Sequence, residues 1–225
     1  MKTAAWLAAS IMFCGLACSL RQRGTVSADE KGPKDRFVPL FELPTWKLHQ
    51  GTTTTWAFTD DGTIVAHERG WLMTKREYRD FELRLEIKLE RDADAAIAIR
   101  SSADPDTDNE GLQIQFVDEC PSGHSPRTDR RHWLRDIPPL RDDKVTRDVG
   151  EWTKVHIIAK DRGVKISINN VLAFDSNLVD REGIAERTGM AKHENMSLLR
   201  EKGHIALQAR NGRIEFRNVE IKELD

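Results

Sequence analysis

Hydrophobic and polar residues alternate along most of the chain after position 37. In Phe81–Glu90, "FELRLEIKLE", Phe81, Leu83, Leu85, Ile87 and Leu89 fall on one face, and Glu82, Arg84, Glu86, Lys88 and Glu90 on the other. A period of two predicts a strand buried on one side. A helix would spread the same apolar residues around its circumference. "AAIAIRSS" sets Ile97 and Ile99 against Ala96, Ala98 and Arg100. "GLQIQFVDEC" sets Leu112, Ile114 and Phe116 against Gln113, Gln115 and Val117. "EWTKVHIIAK" and "GVKISINNVLAFD" predict two or three more strands, with Asn169-Asn170 as a hairpin turn because Asn tolerates positive φ. Near the C-terminus "GHIALQAR" and "IEFRNVEIKEL" predict a closing hairpin through Asn211-Gly212. Ile214 and Phe216 are one residue out of phase with Val219 and Ile221, which predicts a β-bulge near Arg217-Asn218.

Two stretches break the alternation. Asp118–Gly150 is long, charged and rich in Pro and Gly, and reads as a loop. Asp180–Gly203 has room for one or two short helices. Many short strands separated by turn signals predict an all-β fold, a two-sheet antiparallel sandwich with long loops. The outer face of one sheet can then be polar and concave, a shape suited to an elongated or ring-shaped polar ligand.

The first residues do not follow this pattern. Lys2 precedes an apolar run, Ala4 to Ala17, of signal-peptide length and short for a membrane span. Residues 1–18 read as an export signal, with an N-terminal anchor helix as the alternative. "LAC" at Leu16–Cys18 also resembles a lipoprotein signal, in which Cys18 would be acylated and tether the chain to a membrane. Residues 19–36 are polar and aperiodic and read as a flexible tether, leaving 37–225 as the folded domain. The localisation expected is periplasmic or extracellular. Cys14 and Cys18 belong to the leader, so Cys120 stands alone in the domain and no internal disulfide or cysteine metal cluster is available. A net charge of -2 argues against a nucleic-acid partner, which calls for a basic stripe.

The domain resembles the 3-keto-disaccharide hydrolase family. The resemblance rests on "FVPLF…LPTW", "GWLMTKREYRDFELRLEIKLE", "AIAIRSS", "GLQIQFVDE", "VGEWTKVHI" and "GHIALQARNGRIEFRNVEIKEL", in that order, from Phe37 to Leu224. It implies a jelly-roll sandwich like those of concanavalin-A-like lectins and glucanases, export from a glycan-degrading bacterium, and action on or binding of 3-keto-glycosides. The departures fall on polar positions. Asp94-Ala95-Ala96 stands where the family usually reads Asn-Ser-Gly, Gln113 where it usually has Glu, "SPRTDRRHW" where a Thr-Gly-Ala-Leu-Tyr-like segment is usual, and Arg210-Asn211 in place of His-Gly.

Candidate chemistry follows from residue type and from those positions. Asp118, at the end of the Gln-bearing strand, and Asp94 are the candidate catalytic carboxylates, since glycoside hydrolysis commonly uses two. A 3-keto sugar can also cleave by elimination, because the ketone acidifies the neighbouring C–H; one base and a positive charge on the enolate then suffice. Arg100 or Arg210 could supply that charge. Gln113, Gln115 and Gln208 can donate to and accept from sugar hydroxyls. Trp133 could stack on a sugar ring, and His124 and His132 share its loop. Trp46, Trp56, Trp71 and Trp152 are expected in the core. No HExxH spacing, phosphate loop or serine elbow occurs, no metal is expected, and no motif requires a cofactor, whose identity stays unknown. The readings carried forward are a keto-glycoside hydrolase or lyase, a non-catalytic saccharide-binding module, and a structural envelope protein. The oligomeric state stays open.

Overall fold

The computed structural model describes residues 36–40, 45–50, 55–103, 111–117, 132–134, 148–177 and 200–225. Contacts divide the chain into Met1–Glu30 and Lys31–Asp225, and every described residue lies in the second unit. The leader, all but the last residue of the tether, Asp118 and the expected short helices lie outside the described residues.

The described chain is built of strands: β1 (Val38–Pro39), β2 (Trp46–Gln50), β3 (Trp56–Phe58), β4 (Ile64–Ala66), β5 (Gly70–Thr74), β6 (Phe81–Leu89), β7 (Asp94–Ser101), β8 (Leu112–Val117), β9 (His132–Leu134), β10 (Thr153–Lys160), β11 (Gly163–Ile168), β12 (Val171–Asn177), β13 (His204–Asn211) and β14 (Ile214–Glu223). One sheet has eight strands in the order β12-β11-β10-β6-β14-β4-β3, with β1 also on β14. The other has six, in the order β2-β5-β13-β7-β8-β9. Every pairing is antiparallel. The two sheets form the expected jelly-roll sandwich.

The alternation read from the sequence is the alternation of burial. In β6, Phe81, Leu83, Leu85 and Ile87 are buried while Arg84 is exposed. They meet Ile97 and Ile99 of β7, Leu112, Ile114 and Phe116 of β8, and Leu207 of β13 in one core cluster. Each large apolar side chain buried there contributes about 1.5–3 kcal/mol relative to an exposed one. The Asn169-Asn170 turn has both residues at positive φ, 48° and 67°, as a two-residue hairpin between β11 and β12 requires. The register of β14 against β6 shifts between Arg217 and Glu220, with Asn218 at φ 50°, and this bulge returns Val219 and Ile221 to the core.

Three expectations are corrected. β13 and β14 form no closing hairpin: β13 pairs with β5 and β7, and β14 with β6, β4 and β1, so the Asn211–Ile214 connection passes from one sheet to the other. Both strands bury an apolar stripe, and each stripe meets the core from the opposite side. The stretch 118–150 is not wholly loop, because β9 within it pairs with β8. Among the tryptophans, Trp46, Trp56 and Trp71 are buried as expected, Trp71 in a second, smaller cluster, but Trp152 is only half-buried and lies outside both clusters.

Candidate functional site

The outer face of the six-stranded sheet carries the candidate residues. Its central strands are β13, β7 and β8, whose inward residues are Leu207, Ile97 and Ile114, paired in register across the sheet. The residues between them therefore point outward. Two rows result. Trp71, Gln208, Ala96 and Gln115 are paired across β5, β13, β7 and β8; one residue pair further on are Met73, Ala206, Ala98 and Gln113. Ala96 and Ala98 hold the middle of the rows with the smallest side chains that keep a strand regular. They lie between Gln208 of β13 and the two glutamines of β8, and both alanines are buried. Trp71, Met73, Ala98 and Ala206, all on this face, form a second apolar cluster separate from the main one.

Polar contacts join the row ends. Gln115 Nε2 donates to Asp94 Oδ1 at 2.9 Å, a diagonal contact between β8 and β7. Arg210 Nε donates to Gln208 Oε1 at 2.8 Å. Arg210 follows the last regular β13–β7 pair, where the register shifts between Ala209 and Asn211, and the shift places it beside its strand neighbour Gln208 and within electrostatic reach of Asp94. Asp94 is partly buried, and burial pushes its pKa above the usual carboxylate value; the Gln115 hydrogen bond and the Arg210 charge oppose that rise without cancelling it. Gln113 and Gln208 are buried, at 4% and 1% exposure, although glutamine is usually a surface residue.

Asp94, Gln113, Gln115, Gln208 and Arg210 thus come together on one face. Arg100 does not join them. It follows Ala96 and Ala98 by alternation, but the β7–β13 register shifts just before it and its own φ is 53°. That bulge turns the buried guanidinium toward the loops at the end of the other sheet. There it donates to the carbonyls of Arg79 at 2.8 and 3.0 Å and of Asp161 at 2.7 Å, and to the Asp80 carboxylate at 3.1 Å. Its bonds tie one sheet to the other, so it is no ligand-facing cation. Gly203 lies against this bulge so closely that a Cβ there would sit 2.4–2.6 Å from the Arg100 and Ser101 backbone.

Trp133 occupies the β9 position opposite Gln115 in register. Asp118, one residue past β8, lies outside the described residues. Sequence reasoning missed the apolar cluster that shares this face with the glutamines. The signal was present: in "GWLMT" Leu72 is flanked by Trp71 and Met73, and in "AAIAI" small residues alternate with isoleucines. Among the described residues no group of three or more His, Cys, Asp or Glu could hold a metal ion. No described helix is long and apolar enough to cross a membrane.

Comparison with known proteins gives this arrangement a context. A family model described as a 3-keto-alpha-glucoside-1,2-lyase-like domain matches residues 36–222. No curated protein matches the chain. Two crystal structures of proteins from Parabacteroides distasonis assigned as glycosyl hydrolases share the fold. The first has a TM-score of 0.72 at 19% identity, over 84% of this chain and 94% of that one. The second has a TM-score of 0.70 at 21% identity, over 84% of this chain and 100% of that one. The carbohydrate-binding module CBM66 from Bacillus subtilis superposes with a TM-score of 0.51 at 15% identity, over 80% of this chain and 96% of that one. At these identities the structural likeness carries the fold alone.

Proposed function

The chain belongs to the 3-keto-alpha-glucoside-1,2-lyase-like domain family, and on that premise we propose that it cleaves keto-glycosides with Asp94 as the proton-transferring group. The observation that supports this is a partly buried carboxylate with an elevated pKa, oriented by the Gln115 amide at 2.9 Å and close to the positive charge of Arg210. An elevated pKa makes a carboxylate a better proton acceptor and brings it nearer to the working pH.

In an elimination the ketone at C3 acidifies the proton on C2. Asp94 takes that proton, and the negative charge spreads onto the keto oxygen as an enolate, which Arg210 is available to stabilise. The electron pair of the C2–H bond ends in a C1–C2 double bond. The C1–O bond breaks, and its pair leaves with the oxygen of the departing sugar, which takes up a proton as the free alcohol. Gln113, Gln115 and Gln208 orient the ring through its hydroxyls. Asp118, next after β8, stands in the proposal as the second carboxylate a hydrolytic route would use. Export through the 1–18 leader belongs to the same proposal and is supported by the apolar run after Lys2.

The test is incubation of the purified protein with 3-keto disaccharides and with the same disaccharides unoxidised. Turnover of the keto substrates, lost in Asp94→Asn, is the expected result. Binding of saccharides without turnover of any would overturn it in favour of a second reading, a binding module on the same sandwich. What favours that reading is the number of amides on the face: Gln113, Gln115 and Gln208 have the chemistry to bind hydroxyls and cannot transfer protons at ordinary pH.

A further inference from the structure

Asp94 and Arg210 each stand at the mouth of a crossing between the sheets. Residues 90–93 carry the chain from β6, in the eight-stranded sheet, to β7, in the six-stranded one, and Asp94 is the first residue of β7. Residues 212 and 213 carry it back from β13 to β14, and Arg210 is the residue before last of β13. The two crossings lie against each other. The Glu90 N–H donates to the Arg213 carbonyl at 3.1 Å. The Asn211 side chain donates through Nδ2 to the Asp92 carbonyl at 2.8 Å. Gly212, at φ 72°, approaches Ala93 so closely that a Cβ there would sit 2.9 Å from the Ala93 Cα and Cβ.

The register shows what this contact does for the two charges. Ala209 pairs with Ala95, and both are in the core. The next pair is Asn211 with Asp94, so Arg210 is an extra residue on β13. A bulge of this kind re-aims a side chain, and its direction is set by the residues that flank it. Arg210 is held from both sides. On one, Gln208 Oε1 accepts from Arg210 Nε at 2.8 Å. On the other, Asn211 is tied to the turn that leads into Asp94. That tie runs from a side chain to a main-chain carbonyl, so it depends on an amide at position 211. Around Asp94, which is partly buried, act the Gln115 amide from β8 and the charge of Arg210 from β13; Arg91 and Asp92 of the turn are exposed.

We propose that Asn211 is a positioning residue: by joining the β13–β14 crossing to the β6–β7 turn, it keeps the Arg210 guanidinium close to the Asp94 carboxylate. It acts through Arg210 and not on the substrate. The inference rests on the reading of Asp94 and Arg210 as the charges of the site. Its consequence is electrostatic. A nearby cation favours the ionised carboxylate. Without the tie Arg210 leaves its place on the bulge, and its charge is weakened at Asp94 by distance and by solvent screening.

The experiment titrates the Asp94 carboxyl in the intact protein by carbon-13 NMR, with the signal assigned by its loss in Asp94→Asn. In Asn211→Ala the Asp94 pKa should rise above that of the parent. Arg210→Gln should raise it as well. In the double variant the change at 211 should add nothing to the change at 210, because two residues that act as one unit are not additive. Asn211 is exposed, so the variant should fold, and an unchanged thermal transition checks it. Asn211→Ser, whose hydroxyl is too short to reach the Asp92 carbonyl, is the second variant and should titrate like Asn211→Ala. The proposal is overturned if Asp94 titrates in both Asn211 variants as it does in the parent. It is equally overturned if the rise persists in full in the Arg210→Gln background, since the effect would then not pass through Arg210. The titration needs no turnover, so a protein that cleaves no keto-glycoside sinks the proposed function and leaves this result to be judged by itself.

Discussion

The Gln115 amide donates to the Asp94 carboxylate across the β8–β7 pair at 2.9 Å, and this bond works against the pull of burial on the Asp94 pKa. Removing it changes the acid and not only its position. In Gln115→Leu the Asp94 pKa should rise further, because the lost bond favoured the charged form. The acidic limb of the pH–rate profile should move to higher pH, with maximal rate retained at alkaline pH. An unmoved limb would mean that Asp94 is not the titrating base.

Asp94→Asn removes the base and should lower turnover of a 3-keto disaccharide by about 10²–10⁴-fold. Saccharide binding, read by calorimetry, should change little because the amide can still accept from Gln115. Turnover within a factor of two of the parent would remove Asp94 from the mechanism.

The same substitution should raise stability at neutral pH. A carboxylate whose folded pKa lies above its unfolded value binds a proton more readily in the folded state. Stability then falls as pH rises through the window from the unfolded to the folded pKa, and at neutral pH the buried charge is a net cost. The melting temperature of Asp94→Asn should exceed that of the parent at pH 7. The difference should shrink as the pH is lowered through that window. A lower melting temperature at pH 7 would contradict the burial argument.

Arg100→Ala should cost stability and spare the site. The guanidinium is buried and bonded to Arg79, Asp161 and Asp80, and breaking such a set costs about 3–5 kcal/mol. Denaturant unfolding should show that loss, while binding at the Asp94 face, measured well below the transition, should be unchanged. A ligand-binding defect in a fully folded variant would return Arg100 to the site.

Gly203→Ala tests the same corner from the residue that precedes β13. The added Cβ would meet backbone atoms of Arg100 and Ser101, which cannot swing aside as a side chain could. The expected destabilisation is about 1–3 kcal/mol, read as a lower denaturation midpoint.

For export, the protein recovered from outside the cytoplasm should lack the leader ending near Cys18, as read by N-terminal sequencing. Full-length protein confined to the cytoplasm would remove that part of the proposal.

Strand identity and facing were legible in the chain. "FELRLEIKLE" and "GLQIQF" specify by alternation which side chains are buried, because a strand sends successive residues to opposite faces whatever its neighbours are. The glutamines and Asp94 could be placed on one outward face for the same reason. The bulge near Asn218 was legible as a break in phase, and the Asn169-Asn170 turn as two residues that tolerate positive φ. The family positions were legible as well, in the order of the matching segments.

Only the tertiary structure decided which sheet each strand joins. β13 and β14 are adjacent in sequence with a turn-forming Gly between them, yet they sit in opposite sheets. Alternation says that a face is apolar and is silent on which layer it closes; that depends on which long-range pairing buries the most surface. Arg100 is the sharpest case. Alternation from Ala96 and Ala98 sends it outward, and a single left-handed residue sends it to the sheet end instead, where carbonyls of two distant loops satisfy a charge that would be costly to bury alone. Trp71 is buried as its type suggested, but only its register beside Gln208 shows that it is buried on the candidate face, in a second apolar cluster. Local periodicity assigns faces because it is a property of the backbone. Partners come from packing between segments far apart in the chain, which no local pattern encodes.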